Sequence, residues 1–213
     1  GAVTGKITSR SGGKEINSNT LKAQANAAYK SADDAGVVVK SDSVNAIREN
    51  VRKVIKEEGY DPDLHPGLNV ILKRLATKEG DMTLSEIERT RRVLLNVVRT
   101  KGDNYDQQRI AGDALQALDD GIVSLSQKNL VSGDASGVSS LTKARELWRR
   151  KAKTEIIEDV IERAKLQSEN YSQSGMENAL RQQFKGLYNN KNRLRQFNKE
   201  ERQLIRKAAT GGP

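Results

Sequence analysis

Cysteine is absent from these 213 residues, and histidine occurs once, as His65. The first absence excludes a disulfide framework, thiolate-ligated zinc and a thiol nucleophile. The second excludes histidine-based triads and multi-histidine metal sites. Aromatics are few (one Trp, five Tyr, two Phe), and apolar residues make up 35% of the chain. A thick single core is hard to build from that stock; thin helical bundles with aliphatic and alanine seams suit it better. No apolar run approaches the ~18–20 residues that span a bilayer, so the chain reads as soluble. Gly1–Gly13 is polar and Gly/Ser-rich, without the pattern of a signal peptide. Neither a GxxxxGK[ST] nor a GxGxxG cradle occurs, so no nucleotide or other cofactor is expected.

Positive charge is what the chain does have, and it is unevenly placed. The formal net charge is +9, and residues 139–213 hold 17 basic against nine acidic residues, a net of +8. The densest part runs from Arg181 to Lys207, with nine basic residues opposed by Glu200 and Glu201. A field confined to one end attracts polyanions, phosphate backbones or acidic lipid surfaces, without any catalytic site.

The first sixteen residues lack a period and read as a flexible arm, or as a docked strand. Ser18 can cap a first helix that carries Leu21, Ala25, Ala28 and Ala32 and stops at Gly36. Val37–Val39 is a β-branched stretch too short to define a sheet alone. Ser41 can cap a helix with Val44, Ile47, Val51, Val54 and Ile55 on one stripe, stopped by Gly59. Pro66 opens the next helix, ended by Gly80. Thr83–Glu86 reads as a capping box for a helix that Gly102 stops. Another helix covers about 104–126. Residues 17–126 are therefore expected to form a bundle of about five helices.

Residues 127–139 are rich in Ser, Gly and Asp and read as a linker. A long helix then covers about Leu141–Ser168, with Ala144, Leu147, Trp148, Ala152, Ile156, Val160, Ile161 and Ala164 in a narrow seam. Such a seam needs a partner, in this chain or another copy, which makes Leu147, Trp148, Ile156 and Val160 candidate interface residues. A polar break at 167–175 precedes a helix with Leu180, Phe184 and Leu187, and Asn198 caps a last helix with Leu204 and Ile205. Residues 140–213 thus form a long helix and a basic helical tail, in an all-α chain.

The candidate polyanion-binding residues are Arg181, Lys185, Lys191, Arg193, Arg195, Lys199, Arg202, Arg206 and Lys207. On one face they would bind phosphates in a salt-sensitive, sequence-tolerant way; otherwise they form a solvated surface. Tyr188 and Phe197 either stack on bases or fill a small core with Phe184. His65, flanked by Asp63 and two prolines, packs or caps the helix at Pro66 rather than acting as a base. The acidic residues mark no catalytic pair, and sugar-binding aromatics are scarce. No catalytic residue and no metal site is assigned.

Four stretches taken together resemble a family of virion-associated proteins of tailed bacteriophages and prophages. They are EEGYDPDLHPGLNVILKRL (57–75), TLSEIERTRRVL (83–94), KARELWRRKAKTEIIEDVIERA (143–164) and SGMENALRQQFKGLYNNKNRLRQFNKEERQLIRKAATGGP (174–213). The resemblance implies a non-enzymatic structural protein of the internal or DNA-ejection type, carried inside the particle and delivered to the host envelope. It implies partners among copies of itself and other virion proteins, nonspecific contact with DNA, and no small-molecule substrate. In similar proteins the GGP-type ending is followed by a Gly/Ala-rich tail, so a membrane-active segment is expected beyond Pro213. A sequence-nonspecific nucleic-acid-binding or packaging protein is the chief alternative. A head–tail connector and a peptidoglycan-cleaving virion enzyme are the others.

Overall fold

The stripe Val44, Ile47, Val51 and Ile55 makes Ser41–Glu57 a helix because one face can leave water while the other stays charged; all four side chains are buried. The same logic runs along the chain in this computed structural model, which describes residues 17–77, 80–100, 102, 104–168 and 173–211. The helices are α1 (Ser18–Asp34), α2 (Ser41–Glu57), α3 (Pro66–Thr77), α4 (Leu84–Arg99), α5 (Tyr105–Val123), α6 (Ser136–Ser168), α7 (Gln173–Asn189), α8 (Lys191–Leu194) and α9 (Lys199–Thr210). Three short strands, β1 (Val38–Val39), β2 (Met82–Thr83) and β3 (Leu130–Ser132), are the only sheet among the described residues. The chain is all-α. The expected arm at 1–16 lies outside the described residues, as do 169–172 within the polar break.

Two compact units divide the chain, Ala27–Lys143 on one hand and residues up to Asn26 together with Ala144 onward on the other. The division falls inside α1 and inside α6, so it matches neither the expected bundle at 17–126 nor the expected tail at 140–213. The expected linker at 127–139 is structured: it holds a 3-10 turn at Gln127–Asn129, β3, and the first residues of α6. Its polar residues serve local geometry. The Asn129 side chain closes a box on Ser126, and Asp134 Oδ1 accepts the Ser136 amide at 2.7 Å. That hydrogen bond at the start of α6 holds Asp134 below the usual carboxylate range.

In the Ala27–Lys143 unit, α2 and α4 pack on α5, and α3 fits against all three. β1 is the central strand, antiparallel to β2 (Val38 opposite Thr83) and to β3 (Val39 opposite Leu130), with a register irregularity on the β3 side. Val38 and Val39 of that stretch therefore do join a sheet, because partners 43 and more residues away supply the missing ladder. Gly133 makes the β3 corner possible. Its φ is +84°, and a Cβ there would meet the Ala35 and Gly36 backbone at 2.5 Å.

Several caps differ from expectation. Asn17, not Ser18, opens α1, its Oδ1 accepting the Thr20 amide at 2.9 Å. α2 takes its N-terminal acceptor from afar: Asp81 Oδ1 accepts the Ser41 amide at 2.8 Å. The capping box of Thr83 and Glu86 and that of Asn198 and Glu201 form as the local patterns predict.

The second unit is built on the later part of α6. Ile156, Ile157 and Val160 of α6 bury against Phe184 and Leu187 of α7, Phe197, and Ile205 of α9. α6 begins at Ser136, five residues earlier than the periodicity suggested. Its buried set is wider than the narrow seam, since Thr154 and Ile157 are also inside.

Candidate polyanion-binding face

α7 and α9 lie side by side because each has an apolar stripe: Leu180, Phe184, Leu187 and Tyr188 on one, Leu204, Ile205 and Ala208 on the other. Asn190 caps α8 through the Arg193 amide, and α8 turns the chain from the end of α7 to the start of α9. This hairpin carries all nine candidate cations. The core tethers it to α6 through two long-range ion pairs. Lys153 Nζ reaches both carboxylate oxygens of Glu201 at 2.9 and 2.8 Å, and Arg193 Nη2 lies 2.7 Å from Asp159 Oδ2.

The nine cations fall into groups with different tasks. Arg193 is neutralised by Asp159, and its guanidinium, helped by Arg163, holds that carboxyl below the usual carboxylate range. Arg202 binds backbone instead of an anion. Its guanidinium donates to the carbonyls of Phe197 (2.7 Å), Leu194 (3.2 Å) and Arg195 (3.2 Å), satisfying acceptors left over where α8 ends. Arg181 lies over Gly211, the left-handed residue that stops α9; a Cβ on Gly211 would fall 2.7 Å from the Arg181 Cζ. A cation at that end also suits the α9 dipole. Lys185, Lys191, Arg195, Lys199, Arg206 and Lys207 are exposed and pair with no acidic group among the described residues.

Spacing then brings some of the exposed cations together. Lys199, Arg202 and Arg206 recur at three- and four-residue intervals, on the side of α9 opposite Leu204, Ile205 and Ala208. Lys191 and Arg195 are four apart along α8 and its final turn, and the Arg202 bond to the Arg195 carbonyl joins that turn to α9. Lys207 sits on the flank it shares with Glu200, so it does not continue the row.

Of the two readings for Tyr188 and Phe197, the structure shows the small core with Phe184. Phe197 is 1% exposed in the core, and Tyr188 packs partly buried against it. Two of the four expected interface residues, Ile156 and Val160, are core of their own unit, covered by α7 and α9 rather than free for another subunit. Leu147 is also buried, and half-buried Trp148 carries the Lys151 ammonium 5.3 Å from its ring centroid. The long-range partners Asp159, Glu201 and Lys153 went unrecognised in the sequence, because separations of 34 and 48 residues leave no local signature.

Elsewhere, His65 is buried with Nδ1 accepting the Asp61 amide and Nε2 beside Asp106. Both ring nitrogens are engaged, which fits the packing and capping role. A hollow of about 20 Å³ lined by Val44, Ile47, Leu75, Met82, Ile87 and Leu118 has room for about one water. Among the described residues no group of three His, Asp or Glu is placed to hold a metal ion, and no helix is long and apolar enough to cross a membrane. Compared with family models, curated proteins and solved structures, the chain matches none.

Proposed function

We propose that this chain is a non-enzymatic bacteriophage virion protein of the internal or DNA-ejection type, which assembles with copies of itself and lies against polyanions through its basic unit. The observation that carries the polyanion contact is where the charge falls once the chain is divided. Residues 1–26 with 144–213 hold 20 basic against ten acidic residues, a net of +10; residues 27–143 hold 17 against 18, a net of −1. The whole excess belongs to one unit, and six of its cations on α7–α9 are exposed without an acidic partner among the described residues. The resemblance of the four stretches supplies the virion setting.

Titration of the full chain into a labelled duplex of arbitrary sequence, across a salt series, tests the reading. Binding that weakens steeply with salt and ignores sequence supports it. Absence of binding at low salt overturns the polyanion contact. Light scattering on the same samples tests assembly, which a strictly monomeric chain at all concentrations would exclude.

A further inference from the structure

The nine cations of the tail are not equivalent, and their division points to a located contact. Arg193 ties the hairpin to Asp159 of α6, Arg202 holds the carbonyls at the end of α8, and Arg181 pairs with Glu177 of its own helix. Lys191, Arg195, Lys199 and Arg206 do no such work within the described residues, yet Arg202 fixes the turn carrying two of them beside the helix carrying the others. Resting on the polyanion-binding reading above, we infer that Lys191, Arg195, Lys199 and Arg206 form a band that binds the phosphate backbone of duplex DNA, with Arg202 as the residue that positions it.

Dimensions fit that ligand. Seven residues at a rise of 1.5 Å put about 10 Å between Lys199 and Arg206 along α9. A duplex carries one charge per ~1.7 Å of axis with both strands counted, so that length holds about three phosphates of each strand, a supply comparable to four cations. Among the described residues of the tail no aromatic is free to stack on a base, since Phe197 is in the core and Tyr188 packs partly buried against the same cluster. Contact would be to backbone and indifferent to sequence. A bilayer surface suits it less well. A helix that lies in a membrane interface needs a free apolar face, whereas Leu204 and Ile205 of α9 are already spent in the core. Of the large exposed apolar side chains among the described residues, only Leu166 lies in this unit, and it belongs to α6.

The test compares two quadruple variants of the full chain that lose the same charge from the same unit. One is K191Q/R195Q/K199Q/R206Q; the other is K22Q/R149Q/R163Q/K165Q, at exposed positions of the same unit outside the nine candidate residues. For the first, the slope of log K against log salt is expected to fall by about 3 to 4, with affinity lower by at least about 100-fold at low salt. The second is expected to stay within about threefold of the parent. The pair K199Q/R206Q is expected to lose about half the slope change, and unchanged far-ultraviolet circular dichroism confirms that both folds are intact. Equal losses in the two quadruple variants would mean that binding follows net charge, overturning the band while leaving the polyanion reading. A parent that binds anionic phosphatidylserine vesicles but not duplex, through the same four residues, would overturn DNA as the partner. A parent that binds neither would overturn the functional reading itself.

Discussion

His65 Nε2 lies 3.2 Å from Asp106 Oδ2 while its Nδ1, 3.0 Å from the Asp61 amide nitrogen, accepts that N–H. Because Nδ1 accepts, the ring proton resides on Nε2 and points at the carboxylate. Arg109 chiefly, then His65, holds Asp106 below the usual carboxylate range. The ring therefore ties the turn before α3 to the first turn of α5. Nitrogen-15 NMR at neutral pH is expected to show the neutral Nε2–H tautomer. His65→Ala leaves the Asp61 amide without its acceptor and a hole where the buried ring sat, and urea unfolding is expected to show a loss of about 2 kcal/mol.

Gly133 and Gly112 make a matched pair of opposite sign. At Gly133 the positive φ and the Ala35 and Gly36 backbone both exclude a side chain, so Gly133→Ala is expected to cost at least about 2 kcal/mol. Gly112 lies within α5 with nothing inside 4 Å of an added Cβ. Gly112→Ala is expected to stabilise by about 0.5–1 kcal/mol, read from the urea midpoint.

Arg91 and Asp119 form a two-pronged pair between α4 and α5, at 2.7 and 3.0 Å, with side chains only 11% and 14% exposed. Burial alone would depress the Arg91 pKa, but the Asp119 carboxylate reverses the effect and raises it. Removing Arg91 takes a close, largely buried ion pair away from Asp119, so Arg91→Ala is expected to cost about 3 kcal/mol. Arg91→Lys recovers only part of that, because an ammonium has no fork to match the carboxylate. Denaturant unfolding of both variants checks the order.

The Asp159–Arg193 pair makes the α6–α9 unit sensitive to acid. The folded-state pKa of Asp159 is lowered from its ordinary value of 3.8, so its contribution is complete above that value and is lost as pH falls through the lowered one. Both side chains are about a third exposed, which limits the effect to below about 1 kcal/mol. Thermal unfolding of Asp159→Asn is expected to match the parent more closely at pH 3 than at pH 6.

Much of this was legible locally. The stripe Val44, Ile47, Val51 and Ile55 and the boxes at Thr83 and Asn198 concern residues three or four apart, which meet on any helix. Acceptors supplied from elsewhere were not legible. Asp81 serving Ser41 is 40 residues distant, and β1 is a strand only because Met82 and Leu130 arrive beside it. The candidate face was legible as a composition, nine basic residues from Arg181 to Lys207, but not as an arrangement.

The sequence by itself determined that the chain is helical, that its positive charge gathers near one end, and that thiol and multi-histidine chemistry is excluded. These follow from periodicity and composition, which need no knowledge of what lies opposite. Only the tertiary structure decided which cations are consumed: Asp159 takes Arg193, and the carbonyls after α8 take Arg202. It also placed the division inside α1 and α6, where no linker composition marks it. The physical reason is the same in each case. An ion pair or a packed seam depends on distances closed by folding, and separation along the chain says nothing about them.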